Sequence, residues 1–275
     1  MKIIQYQSAV HSVKKENLIQ LEKFLDRVAG EQADLIMVGE MFACPYDINN
    51  FRAYSEPQGG ETFKFLSGLA RKHRVYLAAG TVPEIDAEGK VYNTAYVFDR
   101  NGELAGKHRK VHLFDIDIPG GQYFKESTIL SPGEQVTVFD SEFGKIGLCI
   151  CFDIRFNEMF RIMTNLGARI ILIPAAFNTT TGPIHWQLLL QARALDNQCF
   201  VAATSPARNK NASYQAWGHS LVVNPWGKII GELDELPGHL TSRVDFQEVE
   251  SVREQLPVVS NLRSDLYEVV YKPPV

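Results

Sequence analysis

"ADLIMVGE", residues 33–40, sets four apolar residues between an aspartate and a glycine–glutamate pair. The run lacks the apolar–polar alternation of a half-exposed strand. It reads as a short strand buried on both faces. "ARIILIPAAF", residues 168–177, has the same character in the second half of the chain. Such strands need cover on both sides, and the segments around them supply it. "KENLIQLEKFLDRVA" (15–29) has helical spacing, with Ile19, Leu21, Phe24, Leu25 and Val28 near one side. "GETFKFLSGLARKHR" (60–74), "NEMFRIMTNLG" (157–167, ended by Gly167) and "PIHWQLLLQARALDN" (183–197) also read as helices.

Further strands surround these elements. "KIIQYQSA" (2–9), "VYLAAGTVPEI" (75–85), "VYNTAYVFDR" (91–100) and "NGELAGKHRKVH" (101–112) read as extended. "QVTVFDSEFGKIGLCICFD" (135–153) reads as two strands joined near Gly144, and "HSLVVNPWGKIIGEL" (219–233) as a hairpin around "NPWG". No linker-like composition, charge run or internal repeat divides the chain. These elements predict one α/β domain with mixed sheets, apolar strands inside and helices outside.

Composition bounds the function. The chain has 275 residues, 45% of them hydrophobic and 22% charged, which suits an ordinary globular protein with a large core. The net charge is −4 and no basic block exists, which speaks against nucleic acid and anionic membrane as partners. No apolar stretch approaches a membrane span, and "MKIIQYQSAV" is too short and polar for a signal-peptide core. The expectation is a cytoplasmic protein in which Cys44, Cys149, Cys151 and Cys199 are reduced thiols.

Three strand ends carry reactive residues: Glu40 after "ADLIMVG", Lys110 after "LAGKHR" and Cys151 after "KIGLCI". Taken singly, each has a bland explanation, as a solvated glutamate, an edge lysine or a small buried hydrophobe. That explanation suits Cys149 and Cys199, which have apolar neighbours; on a strand, Cys149 would face the same way as Cys151 and serve as packing. It suits Cys151 less, because Asp153 and Arg155 follow at once. Together the three make a mechanism. A thiol, with a free pKa near 8.5, needs a base, which an enclosed carboxylate supplies. An ammonium lowers the thiol pKa and stabilises an oxyanion on the attacked carbonyl. The backbone N–H of Phe152, the residue after the cysteine, is placed to be a second oxyanion donor if the chain turns sharply there. These groups suffice for amide hydrolysis through a thioester, without histidine or metal.

Glu40 in "VGEMF" (38–42), Lys110 in "KHRKVHLFD" (107–115) and Cys151 in "GLCICFDIRF" (147–156) follow the order and context of three motifs. By these the chain resembles the nitrilase superfamily, carbon–nitrogen hydrolases with a Glu-Lys-Cys triad. The superfamily's second glutamate matches Glu126 in "YFKESTILSPG" (123–133). The likeness covers essentially the whole chain. It implies an αββα sandwich, mixed sheets with helices outside, usually paired across a dimer into αββααββα. It implies one carbon–nitrogen hydrolase domain over residues 1–275, with a tail from about residue 258 lying over the surface or the dimer interface. It implies no cofactor and no metal. Many members have tyrosine and proline where this chain has Phe152 and Asn157, but the triad needs neither side chain.

Within the superfamily the chain is most similar to omega-amidases, through "HLFDIDIPG" (112–120), "AFNTTTGPIHW" (176–186), "ATSPARN" (203–209) and "YQAWGHS" (214–220). That likeness implies hydrolysis of the terminal amide of 2-oxoglutaramate and 2-oxosuccinamate, with release of ammonia. In this reading Glu40 is the base, Lys110 stabilises the oxyanion and Glu126 orients Lys110 and substrate. A small anionic substrate calls for an arginine fork, and Arg155 is the candidate. Its alternative is an ion pair with Glu158 or Asp153. Tyr46, Phe177 and Thr180 are candidates to line the pocket. The alternatives are another superfamily amidase, acting on deaminated glutathione or an N-carbamoyl amine, and a non-catalytic scaffold. His108 and His112 lie on an apparent strand, where a spacing of four does not converge on a metal.

Overall fold

The computed structural model describes residues 1–119 and 122–273. Gly120 and Gly121, at the seam between the "HLFDIDIPG" and "GQYFKESTILSPG" segments, and Pro274 and Val275 of the tail lie outside the described residues.

Two six-stranded mixed sheets face each other. The first is built from β1 (Lys2–Gln7), β2 (Leu35–Val38), β3 (Tyr76–Ile85), β4 (Val91–Phe98) and β5 (Leu104–Arg109). A short two-stranded ribbon follows, β6 (Asp115–Asp117) and β7 (Tyr123–Lys125). The second sheet uses β8 (Thr137–Ser141), β9 (Gly144–Leu148), β10 (Ile170–Pro174), β11 (Phe200–Thr204), β12 (Leu221–Val223) and β13 (Ile229–Glu232). The last strand, β14 (Gly238–Arg243), returns to the first sheet. The orders are β14-β1-β2-β3-β4-β5 and β13-β12-β11-β10-β9-β8. In each sheet the three central strands run parallel, β1-β2-β3 in one and β9-β10-β11 in the other, flanked by antiparallel neighbours.

The apolar runs explain the layering. Along β1 and β2, Ile3, Leu35 and Met37 point into the space between the sheets, and Ile4, Ile36 and Val38 point outward. The outward set is covered by α1 (Lys14–Val28) and α3 (Glu61–His73), through Leu18, Leu21, Phe24, Leu25, Leu66 and Leu69. The other sheet is covered by α4 (Asn157–Asn165) and α5 (Gly182–Asn197), through Phe160, Met163, Trp186 and Leu190. The layers are therefore helix, sheet, sheet, helix. The other α-helices among the described residues are α2 (Ile48–Phe51) and α6 (Phe246–Gln255), which buries Val249 in the core.

One helix departs from the sequence reading. Ile19 is exposed, and Leu18 takes the buried place on the stripe 18-21-25-28. Both residues are apolar, so only the angular position relative to Leu21, Leu25 and Val28 decides between them. Among the described residues beyond 258 the tail has no regular element and leaves Leu266, Tyr267 and Val270 exposed. Among the described residues no helix is long and apolar enough to cross a membrane.

Candidate active site

The parallel strands of both sheets end on one side, and the polar cluster assembles there. β2 ends at Val38 and delivers Glu40, whose N–H donates to Ala175 O just after β10 in the facing sheet. Gly39 permits that approach, since a Cβ there would fall 2.6 Å from the Pro206 nitrogen. β5 ends at Arg109 and delivers Lys110. Glu126 opens a single 3₁₀ turn after β7; its Oε2 accepts from Phe114 N–H at 2.7 Å.

Lys110 Nζ lies 2.9 Å from Glu40 Oε1 and 3.0 Å from Glu126 Oε1, and all three side chains are fully buried. Asn93, on β4, donates its Nδ2 to the same Glu40 oxygen at 2.7 Å. Tyr46 donates to Glu126 Oε1 and stands 3.2 Å from Glu40 Oε1. One glutamate oxygen thus serves several donors, while Glu40 Oε2 is buried without a partner. Burial alone would depress the Lys110 ammonium, but Glu126, Glu40 and Cys151 outweigh it and hold the group charged. Burial, reinforced by Glu40 and opposed by Lys110, raises the Glu126 carboxyl.

Cys151 is not on a strand. β9 ends at Leu148, and Cys151 opens a 3₁₀ turn with φ of 45°, a strained left-handed conformation for a non-glycine residue. The two-residue alternation that would have turned Cys149 and Cys151 the same way is broken. Cys149 is fully buried in the hydrophobic core. The Cys151 thiol adjoins Glu40, Lys110 and the Ala176 N–H. Burial, then Glu40, push it well above the ordinary thiol range, against Lys110 and the Ala176 N–H. The resting group is a thiol. Lys110 pulls the thiol pKa down, as the sequence leads one to expect, but burial and Glu40 outweigh it. The Phe152 N–H donates to no acceptor among the described residues.

A second cluster locks this turn to the Lys110 strand. The buried Asp153 carboxylate accepts from His108 Nε2 at 3.1 Å and from His112 Nδ1 at 2.8 Å. It also accepts from the N–H groups of His112 at 2.9 Å and Ile150 at 3.0 Å. A carboxylate offers only acceptors, so His108 carries a proton on Nε2 and His112 on Nδ1. Burial would raise the Asp153 carboxyl, but the bonds from His108 and His112 hold it well below the usual carboxylate range. The two histidines flanking Lys110 thus converge on the residue two beyond Cys151. The partner that the histidines of "HRKVH" share, 45 residues from His108, is not visible from spacing.

Arg155 departs from its sequence alternative. It forms no ion pair among the described residues: Asp153 is taken by the histidines and Glu158 is exposed. Its Nη2 donates to His185 Nδ1 at 3.2 Å, and its Nε is buried without a partner. The guanidinium lies 5.3 Å from the ring centres of both Phe152 and Phe177. A void of about 10 Å³ beside it is lined by Cys151, Arg155, Phe177, Asn178, Thr181 and Tyr214. Thr180 is exposed and does not line it; the Asn178 side chain turns the backbone so that Thr181 does. Tyr46 stacks on Tyr214 with centroids 4.4 Å apart. On the far side of this pair lies a cavity of about 330 Å³ reaching Glu40, Ala176 and Asp47.

Asn93, Tyr214, Asn178, Thr181 and His185 escape sequence reasoning. Asn93 alone leaves a trace, as an amide inside the apolar strand "VYNTAYVF".

Two buried carboxylates, an ammonium and a strained cysteine thus meet at the strand ends of the two facing sheets. The family model "Carbon-nitrogen hydrolase" matches residues 3–254, and the chain belongs to that family. It is 43% identical to "Omega-amidase NIT2" of Homo sapiens, over 100% of this chain and 98% of that protein. It is 45% identical to "Omega-amidase NIT2-A" of Xenopus laevis, over 98% of each. The crystal structure of Saccharomyces cerevisiae Nit3, a member of branch 10 of the nitrilase superfamily, superposes with a TM-score of 0.88 at 40% identity, covering 96% of each chain.

Proposed function

We propose that this chain is an omega-amidase, hydrolysing the terminal amide of short dicarboxylic acid monoamides such as 2-oxoglutaramate and 2-oxosuccinamate. The observation that carries the reading is a cationic Arg155, with no anionic partner among the described residues, in the same small void as Cys151. A half-buried guanidinium without a carboxylate partner is costly, and a substrate carboxylate relieves it.

Cys151 is the nucleophile and starts as a thiol. Glu40 Oε2, free of other partners, takes the thiol proton as sulfur attacks the amide carbon. Lys110 Nζ and the Phe152 N–H receive the oxyanion. Glu126, with Tyr46, holds Lys110 in place. Collapse of the tetrahedral adduct breaks the C–N bond, and the proton on Glu40 leaves with ammonia. Water, activated through Glu40, then cleaves the thioester. Phe177 lines the acyl chain. The void beside Cys151 shares Tyr214 as a wall with the larger cavity.

The same reading takes residues 1–275 as one hydrolase domain that works as a homodimer in the cytoplasm. Ile184 and Leu188, exposed on α5, and the exposed tail from residue 258 give an apolar face for a second copy. Four free, buried thiols suit a reducing compartment. Ammonia release from 2-oxoglutaramate, glutamine, pentanamide and N-carbamoylputrescine tests the substrate: 2-oxoglutaramate is expected to be best, and a lead for pentanamide or the carbamoyl amine would overturn the assignment.

A further inference from the structure

Arg155 is held by a neutral group where a carboxylate is the usual partner. A guanidinium is always protonated and only donates. His185 Nδ1, 3.2 Å from Arg155 Nη2, must therefore be an acceptor, which makes the ring neutral with its proton on Nε2. The backbone that carries the ring is well anchored. His185 lies in the first turn of α5, its N–H donates to Thr181 O at 2.8 Å, and Asn178 Oδ1 holds the N–H groups of Thr180 and Thr181 at 3.0 and 2.9 Å. The Phe152 and Phe177 rings flank the guanidinium, and Nε is left buried and unpartnered.

Two properties follow. One arm of the fork is fixed, so the remaining donors present a set geometry toward the void that also holds Cys151. The charge, meanwhile, is not neutralised. An aspartate or glutamate in place of His185 would fix the same arm while cancelling the charge that a substrate anion needs. We propose that His185 is a positioning residue that sets the preference for anionic acyl chains, by orienting Arg155 without neutralising it. This rests on the reading that Arg155 receives the substrate carboxylate.

The test compares His185→Asn with His185→Asp, two side chains of nearly equal shape that differ in charge. Each is scored by the ratio of kcat/KM for 2-oxoglutaramate to kcat/KM for pentanamide, with circular dichroism to confirm folding. Asparagine offers a neutral acceptor near the Nδ1 position and is expected to keep the ratio within about threefold of wild type. Aspartate is expected to lower it by about tenfold or more, mainly through KM for the anion, the scale of a lost hydrogen bond to a charged group. Arg155→Gln is the arm that separates the two readings. If it collapses the ratio while His185→Asp leaves it unchanged, the role of His185 is wrong and that of Arg155 stands. If Arg155→Gln leaves the ratio unchanged, the carboxylate reading itself fails. Loss of the ratio in His185→Asn would also overturn the proposal, because a neutral acceptor would then not suffice.

Discussion

Glu40 meets the Lys110 ammonium at 2.9 Å through Oε1 and leaves Oε2 buried with no partner. The two oxygens of one carboxylate therefore have separate tasks. Oε1, which also accepts from Asn93, fixes the side chain. Oε2 is the one free to take a proton.

Glu40→Gln should separate those tasks. The amide oxygen can still accept from Lys110 and Asn93, but no proton acceptor remains beside the thiol. Turnover is expected to fall by about 10²-fold or more, with the far-ultraviolet spectrum unchanged. Near-normal turnover by a folded Glu40→Gln protein would remove Glu40 as base.

The two cysteines of "GLCIC" should behave oppositely. Cys151→Ala is expected to abolish ammonia release. Cys149→Ala, in the hydrophobic core, is expected to keep catalysis and cost about 1 kcal/mol of stability. Denaturant midpoints and turnover, measured on both variants, distinguish chemistry from packing.

Asp153 predicts a pH dependence of stability. Its carboxyl is held below the ordinary value in the folded state. A depressed group contributes stability that is present above its unfolded pKa, about 3.9, and is lost as pH falls through the folded value. Asp153→Asn should cost about 2–5 kcal/mol at neutral pH, because it breaks a buried charged hub. The gap from wild type should narrow as pH drops below about 4. A gap that widened in acid would contradict the assigned direction.

Much of the layering was legible because β2 and β10 are wholly apolar runs, a composition that suits strands covered on both faces. Glu40, Lys110 and Cys151 stood out because each follows an apparent strand. Other features depend on contacts distant in sequence. Arg155 was open to pairing with Asp153, but His108 and His112 claim that carboxylate from the first sheet. Thr180 and Thr181 are chemically identical, and only the turn at Asn178 decides which one faces the void. The raised thiol of Cys151 depends on enclosure and on the nearby Glu40, neither of which spacing reveals.

The central claim, that Cys151 carries the acyl group of a dicarboxylic monoamide, is tested most directly by acid-quenching wild-type enzyme during turnover of 2-oxoglutaramate and mapping peptide masses. The account predicts a 2-oxoglutaryl thioester on the peptide containing Cys151, formed together with ammonia and absent from Cys149→Ala only if Cys151 is also replaced. Sustained ammonia release with no adduct on Cys151 at any quench time, and undiminished release by Cys151→Ala, would contradict it.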